Sequence, residues 1–194
     1  MRQPAEKQRE PAECGLQRAP RNSRASCVRL FFMTTPQAVP SELIPELDAL
    51  ATSAGSSDAL MSAIVTLLFN KLGRYNWVGF YMLEKEAGGE VLVLGPFRGV
   101  GTPHTRIPLN QGICGAAASA GKTIVVDDVN SDPRYLSCSL ETKSEIVVPV
   151  FVNGKVAGEL DIDSHSLAAF GAEDRELCQH AAAIVGRYLE TRSR

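Results

Sequence analysis

The chain has 194 residues, of which 44% are hydrophobic and 22% charged, a composition typical of a soluble globular protein with one domain of ordinary size. A net charge of -2 provides no electrostatic basis for binding nucleic acid, and no run of about 18 apolar residues predicts a transmembrane helix. We therefore expect neither a nucleic-acid partner nor a membrane partner.

The charge is distributed unevenly along the chain. Residues 1–35 carry seven Lys or Arg and three Glu, whereas the remainder of the chain is acidic. The first residues are also rich in Pro, Arg, Gln and Ser, a composition that favours disorder. We predict a disordered N-terminal extension over 1–35 and a single folded domain over 36–194. The run that begins at Met33 resembles an ordinary protein start, so a start codon assigned too early is an alternative explanation of residues 1–32.

The five cysteines are scattered without a Cys-x-x-Cys pair, and three histidines are present. This set is too sparse for a disulfide scaffold or a zinc finger. It favours free thiols in a reducing compartment, so we expect a cytoplasmic protein. The cysteines are Cys14, Cys27, Cys114, Cys138 and Cys178.

Two helices are predicted before the first strand. Apolar residues recur at helical spacing after Ser41, which can cap the first helix. After a break at 55–58, Asp58 can cap a second helix that ends at Gly73. A further helix with an amphipathic pattern is predicted over 170–188.

Strand patterns fall between these helices. Residues 76–84 alternate so that Trp77 and Tyr81 share one face of a strand. The dipeptide Asn153-Gly154 is a strong hairpin signal between two apolar runs. The predicted elements in this part of the chain are strands over 76–84 and 90–94, a loop over 95–112, a helix over 112–120, a strand over 123–126, a loop over 127–141, and strands over 145–152 and 155–163.

Antiparallel strands that are flanked by helices at both ends indicate an α+β fold. We expect one central antiparallel sheet with the N- and C-terminal helices packed on one face. The two long loops then cover the other face, and loops of this length in a small domain are usually functional or mobile.

Three acidic residues of the last strand share one face, namely Glu159, Asp161 and Asp163. A face exposed to water would accommodate their charges, as on many antiparallel sheets. The terminal helices need the opposite, apolar face, so the acidic face would lie beneath the loops, where a pocket would form. The pattern alone leaves the exposed face and the pocket open as alternatives.

Two thiols flank this acidic face. Cys114 falls in the first turn of the short helix, where backbone N–H groups stabilise a thiolate, and Cys138 falls in the second long loop. Thiols beside carboxylates suggest redox chemistry on a small molecule, whereas the alternative is that each is an inert small residue. Cys178 lies between apolar helix residues and is predicted to be core. A zinc site of His104, both thiols and Asp163 lacks a ligand pair with helix or knuckle spacing, so we predict no metal site.

Five segments together resemble the GAF-domain free methionine-(R)-sulfoxide reductases. They are NWVGFY at 76–81, GICG at 112–115, the Asp-Val pair at 128–129, CSLETKSEIVVPV at 138–150 and GELDIDS at 158–164. The resemblance extends from about Leu43 to the last helix. It implies a GAF fold and the thiol-dependent reduction of free methionine-(R)-sulfoxide to methionine.

The resemblance also implies which residues form the site. Cys138 matches the cysteine that becomes a sulfenic acid, and Cys114 matches a partner cysteine that forms a disulfide with it. Trp77 and Tyr81 match aromatic residues that hold the methyl-sulfoxide end of the substrate. The carboxylates around the sulfoxide oxygen and the substrate amino group are matched by Glu145, Asp161 and Asp163. Thioredoxin is the implied electron donor, no bound cofactor is implied, and a homodimer is expected because many GAF domains dimerise.

One position departs from the family pattern. The family commonly has a third cysteine ten residues before the position of Cys114, and this chain has His104 there, in a loop one residue longer. Either Cys114 resolves the sulfenic acid, or the protein is a non-reducing relative; alternatively, His104 binds substrate or assists a thiolate. The competing functions are therefore a non-catalytic GAF module that binds a small molecule, and a redox-sensing or metal-binding protein that uses these thiols.

Overall fold

The computed structural model describes residues 38–137 and 139–192, so the predicted disorder of 1–35 and the position of Cys138 lie outside the described residues. Short 3-10 turns lie at Pro40–Leu43 and Val129–Ser131. The helices and strands in chain order are α1 (Ile44–Ser53), α2 (Ser57–Lys71), β1 (Trp77–Glu86), β2 (Gly89–Arg98), β3 (Arg106–Pro108), α3 (Gly112–Ala120), β4 (Ile124–Val126), β5 (Ser144–Val152), β6 (Lys155–Ser164) and α4 (Ala172–Arg192). None of the described helices is long and apolar enough to cross a membrane.

The described strands form one antiparallel sheet in the order β3-β2-β1-β6-β5-β4. The central strands β1, β6 and β5 are therefore paired on both sides. The predicted Asn153-Gly154 hairpin joins β5 to β6, and both turn residues have positive φ, 50° and 74°. Two left-handed residues are what a two-residue turn needs to match the twist of the strands, so this part of the prediction is confirmed.

One face of the sheet packs on α2 and α4, with α1 packed against these two helices, and forms the main apolar core. The sheet contributes alternate residues of its central strands, and they include Val78, Phe80, Ile146, Val148, Leu160 and Ile162. The opposite face carries a second, smaller apolar cluster under α3 and the two long loops. The predicted division into a helix-covered face and a loop-covered face is confirmed.

The predicted first long loop is shorter than expected. Residues 95–98 continue β2, where Val78 pairs with Arg98 and Gly79 with Phe97 across an irregularity in the β1–β2 register. The short strand β3 then pairs with β2. The Gly-Pro pair at 95–96 is the reason that the sequence did not predict this end of β2, because both residues are rare inside strands.

Helix boundaries also differ from the predictions by a few residues. Ser56, not Asp58, caps α2, since its Oγ accepts a hydrogen bond from the Ala59 backbone N–H at 3.1 Å. The same helix ends at Lys71, with Leu72 as its C-cap, rather than at Gly73. Asp58 lies in the first turn, where its charge still favours the helix N-terminus.

Gly186 sets how closely α4 approaches the sheet. A Cβ atom at this position would lie 2.2 Å from the backbone O atom of Phe151 in β5. No flexible side chain can absorb that clash, because the neighbour is backbone. The absence of a side chain at Gly186 therefore lets α4 lie directly on β5.

We predict that Gly186→Ala lowers the free energy of unfolding by about 1–3 kcal/mol because of this clash. Helix propensity alone predicts the opposite sign, a gain of about 1 kcal/mol. Urea-induced unfolding measures the difference. Gly88→Ala is the matched control, since nothing lies within 4 Å of a Cβ there. A Gly186→Ala variant as stable as the wild type would contradict the close approach.

Candidate functional site

Strand pairing places the acidic side chains and the aromatic pair on the same face of the sheet. Asp163 lies opposite both Trp77 and Glu145, and Asp161 lies opposite Gly79 and Val147. Glu159, two residues earlier on the same face, lies opposite Tyr81. Because side chains alternate along each strand, all of these residues point to the loop-covered side.

These carboxyl groups are buried. The exposed fractions are 5% for Glu145, 0% for Glu159, 2% for Asp161 and 4% for Asp163. The exposed-face alternative for the acidic residues is therefore wrong, and the pocket alternative is correct. No Lys or Arg within the described part of the chain forms an ion pair with any of them.

Cys114 is brought onto this acidic face by α3. Ile113 and Ala117 of this helix are buried in the apolar cluster beneath it, which anchors the helix against β5 and β6. The Sγ atom of Cys114 lies 3.4 Å from Asp161 Oδ2 and 3.8 Å from Glu145 Oε1, where it donates hydrogen bonds. A thiol is thus held directly above two carboxyl groups.

Burial in this pocket raises the pKa of every one of the four carboxyl groups. Burial is the largest cause in each case, and it raises the pKa of Asp161 to about 7. The pKa values of Glu145, Glu159 and Asp163 rise well above their ordinary values, with the charge of Asp161 adding to the rise. The site therefore retains protons near neutral pH, which a general acid requires.

Some oxygen atoms of the cluster have no hydrogen-bond partner among the described residues. They are both carboxyl oxygens of Glu159 and the Oδ1 atom of Asp161. The Cys114 thiol offsets part of the rise in the pKa of Glu159 but lies outside hydrogen-bonding geometry. Buried polar atoms usually have partners, so these oxygens mark a place where a ligand can bind.

The aromatic residues hold the β2–β3 loop over the sheet. The Trp77 ring stacks on Tyr81 at 6.1 Å and on Phe97 at 5.6 Å between ring centroids. Trp77 Nε1 donates a hydrogen bond to Val100 O at 3.1 Å, and Tyr81 Oη donates to His104 O at 2.8 Å. Both aromatic side chains thus contribute to the pocket wall and to the position of its cover.

His104 connects the two loops that cover the pocket. Its Nε2 atom lies 3.1 Å from the carbonyl oxygen of Ser137, which precedes Cys138 in the sequence. A carbonyl oxygen only accepts, so Nε2 carries the proton in this contact. The His104 backbone N–H also donates to Thr102 Oγ1 at 3.1 Å. The residue that stands in place of the family's third cysteine is therefore a link between loops.

The pocket is closed in this structure. A cavity of about 20 Å³ remains beside Trp77 and Asp163, under Thr102 and Ser139. This volume holds about one water molecule, so a larger ligand requires the loops to move.

Cys178 lies far from this chemistry, in the apolar core. It is fully buried in α4, and its Sγ atom lies 3.8 Å from Tyr75 Oη. Burial raises the pKa of its thiol to about 12, which makes it a poor nucleophile. The prediction that Cys178 is a core residue is confirmed.

Comparison with known proteins agrees with this geometry. Residues 56–189 match the family model for the GAF domain. Free methionine-R-sulfoxide reductase of Escherichia coli (strain K12) is 33% identical over 78% of this chain and 88% of its own length. The chain belongs to the free methionine-R-sulfoxide reductase family of GAF domains.

Further relatives support the same family. Protein YtsP of Bacillus subtilis (strain 168) is 40% identical over 76% of this chain and 88% of its own length. The X-ray structure of free methionine-R-sulfoxide reductase from Neisseria meningitidis in complex with its substrate aligns with a TM-score of 0.74 at 33% identity. That alignment covers 80% of this chain and 92% of that chain. The family and the GAF fold expected from the sequence motifs are confirmed.

The structure brings together all but one of the residues that the family resemblance singled out. Trp77, Tyr81, Cys114, Glu145, Asp161 and Asp163 line one buried region, while Cys138 lies outside the described residues. Sequence reasoning placed Glu159 on this face without a role, although the alternation of the last strand was a sufficient signal for its position. The link from His104 to Ser137 was missed, because no local pattern encodes a contact between two loops.

The raised carboxyl pKa values make stability depend on pH. An acid whose pKa is higher in the folded state binds more protons folded than unfolded, so stability falls as pH rises through this window. We predict that Glu159→Gln removes the part of this pH-dependent loss of stability that Glu159 causes. Relative to the wild type, the free energy of unfolding of the variant should therefore increase as pH rises from about 5 to 7, by up to about 1.4 kcal/mol per pH unit. Urea unfolding at several pH values measures it.

Glu176→Gln, at an exposed position of α4, is the control for removal of a carboxyl group. Parallel pH dependences for the wild type and both variants would show that Glu159 does not retain a proton.

We also predict that His104→Ala exposes Cys114, whose exposed fraction is only 5%. Loss of one hydrogen bond of about 1 kcal/mol makes the open state roughly fivefold more populated. Alkylation of Cys114 by iodoacetamide, followed by mass spectrometry, should accelerate by this factor. His180→Ala, which removes a contact of 2.9 Å with Asp48 between α4 and α1, should not change the rate. Equal rates in all three proteins would contradict the link.

Proposed function

We propose that this protein reduces free L-methionine-(R)-S-oxide to methionine, with Cys138 as the attacking thiol and Cys114 as the resolving thiol. The observation that carries the proposal is the buried cluster in which Cys114 contacts Asp161 and Glu145 beside an aromatic wall. Family membership supports the same reaction, since relatives carry the name free methionine-R-sulfoxide reductase.

Substrate recognition follows from the charges and shape of the pocket. The substrate is a zwitterion, and its ammonium group finds carboxylates that have no basic side chain paired with them in the described region. Its methyl-sulfoxide end is apolar on one side and packs against Trp77 and Tyr81, which lie beside the carboxyl groups on the same face of the sheet. Asp163 supplies a carboxylate beside Trp77, and both residues line the cavity of about 20 Å³. The pocket thus recognises a small amino acid with an apolar sulfur end.

The first chemical step transfers the oxygen atom. The Cys138 thiolate attacks the sulfoxide sulfur while a protonated carboxyl group of the cluster donates a proton to the oxygen. The attack forms a bond between the two sulfur atoms. The protonated oxygen then passes to the Cys138 sulfur as the substrate S–O bond and the new S–S bond break, so methionine leaves as the thioether and Cys138 becomes a sulfenic acid. The sulfur of the substrate is reduced by two electrons and that of Cys138 is oxidised by two. The raised pKa values of Glu145 and Asp163 keep a proton available for this step.

The second step removes the sulfenic acid. The Cys114 thiol attacks the Cys138 sulfur, a disulfide forms and the oxygen leaves as water. Cys114 suits this role because His104 replaces the other cysteine that the family commonly uses. Thioredoxin then reduces the disulfide to two thiols, and Cys114 must become accessible for this exchange.

A thioredoxin-linked reaction belongs in a reducing compartment, so we propose a cytoplasmic location. The homodimer expected from the GAF resemblance is likewise a proposal, which light scattering of the purified chain tests.

A thioredoxin-coupled assay tests the function. We predict NADPH oxidation with free methionine-(R)-sulfoxide, and none with the S epimer. Cys138→Ser should lower turnover by a factor of at least about 1,000, as expected for loss of a nucleophile. Cys114→Ser should release one methionine per chain and then stop, because the sulfenic acid is not resolved. Cys178→Ala, which removes a core thiol, is the matched control and should retain turnover.

Two results would contradict the proposal. Wild-type turnover in the Cys138→Ser variant would exclude Cys138 as the nucleophile. Binding of methionine sulfoxide by the wild type without release of any methionine would favour the non-catalytic binding module.

A further inference from the structure

We infer that the reduced, substrate-free pocket is also a binding site for a divalent cation of the Zn²⁺ class, held by Cys114, Glu145 and Asp161. One sulfur atom and two carboxyl oxygen atoms from these residues lie within 4.8 Å of one another, and all three residues are buried. This donor set differs from the one considered from the sequence, because the His104 ring contacts the Ser137 carbonyl oxygen instead.

The distances within the cluster fit a tetrahedral ion. Zn–S bonds of about 2.3 Å and Zn–O bonds of about 2.0 Å at tetrahedral angles separate the sulfur and oxygen ligands by about 3.5 Å. The Cys114 Sγ atom lies 3.4 Å from Asp161 Oδ2 and 3.8 Å from Glu145 Oε1. Both sulfur–oxygen distances therefore lie within a few tenths of an ångström of the tetrahedral separation, and the two carboxyl oxygens lie within 4.8 Å of each other.

Glu159 supplies an independent indication that the pocket takes a ligand. It is fully buried on the same face, two residues before Asp161, and neither of its carboxyl oxygens has a hydrogen-bond partner among the described residues. The Oδ1 atom of Asp161 also lacks one. Unpaired buried carboxylates are costly, and a cation compensates them. Glu159 is therefore a further unpaired carboxyl group on the face that carries the three proposed ligands.

The chemistry of the donors selects the class of ion. A thiolate is a soft ligand that Zn²⁺ accepts and that Mg²⁺ and Ca²⁺ do not favour. All three proposed ligands are buried, which suits a four-coordinate ion such as Zn²⁺ better than an octahedral ion that keeps several waters. Binding of the ion displaces the proton of the Cys114 thiol and protons of the carboxyl groups into solvent, so affinity rises with pH.

The consequence for turnover rests on the proposed function. The ion occupies the carboxylates that the substrate ammonium needs and holds Cys114 as a metal-bound thiolate. Zn²⁺ therefore competes with methionine sulfoxide and raises its KM.

Titration of the reduced full chain with Co²⁺ tests the site directly. A charge-transfer absorption from thiolate to Co²⁺ reports a sulfur ligand, and displacement by Zn²⁺ gives the Zn²⁺ affinity. We expect Cys114→Ser to lose this absorption, and Glu159→Gln and Asp161→Asn to weaken binding by about 10-fold or more. Cys178→Ala should match the wild type. If Cys114→Ser does not fold, Asp161→Asn decides the question, because it keeps the thiol.

Unchanged affinity in Cys114→Ser and Asp161→Asn, or absence of the charge-transfer absorption in the wild type, would overturn the site. The test separates the two proposals, because Co²⁺ binding is measured without turnover. Co²⁺ binding by a chain without reductase activity would support the metal site and contradict the proposed function. Reductase activity in a chain that does not bind Co²⁺ would support the function and contradict the metal site.

Discussion

Four carboxyl groups lie buried on one face of a β-sheet, and their charge must be balanced by something other than water. Glu145 and Asp161 contact the Cys114 thiol, Asp163 pairs with Glu145 across the strands, and Glu159 lies on the same face without a hydrogen-bond partner in the part of the chain described. Because no Lys or Arg of the described residues forms an ion pair with these carboxyl groups, protons are the simplest compensation, and burial raises the pKa of each group accordingly. Retained protons supply a general acid, whereas an arriving ammonium group or metal ion replaces them.

The fold offsets the energetic cost of these buried carboxyl groups because its two apolar clusters lie on opposite faces of the sheet. The main core between the sheet and α1, α2 and α4 stabilises the domain, so the opposite face is available for a polar pocket. The cover of that pocket depends on single hydrogen bonds from Trp77, Tyr81 and His104 to loop backbone atoms. Bonds of this kind contribute about 1 kcal/mol each, so the cover can open for substrate and for a reductant.

Much of the fold could be predicted from local patterns. Alternation along β1 correctly placed Trp77 and Tyr81 on one strand face, alternation along β6 did the same for its three acidic residues, and the Asn153-Gly154 dipeptide predicted the β5–β6 hairpin. Alternation does not reveal whether a polar face is exposed to solvent or buried under other elements. The burial of Asp161 could therefore be established only from the structure. The strand over 95–98 was missed because Gly and Pro resemble a loop, and the contact of His104 with Ser137 joins segments distant in sequence. The roles proposed for Cys138 and Cys114 come from the family resemblance, not from any pattern.

Isothermal titration calorimetry of L-methionine binding to the reduced chain, in two buffers of different ionisation enthalpy, tests the central claim most directly. Methionine carries the ammonium group of the substrate but cannot be reduced, so only binding is measured. If the empty pocket is balanced by protons, binding near neutral pH releases protons, and the measured heat differs between the buffers in proportion to the number released. Equal heats in both buffers would show that the carboxyl groups do not exchange protons for a cation, and would contradict the account.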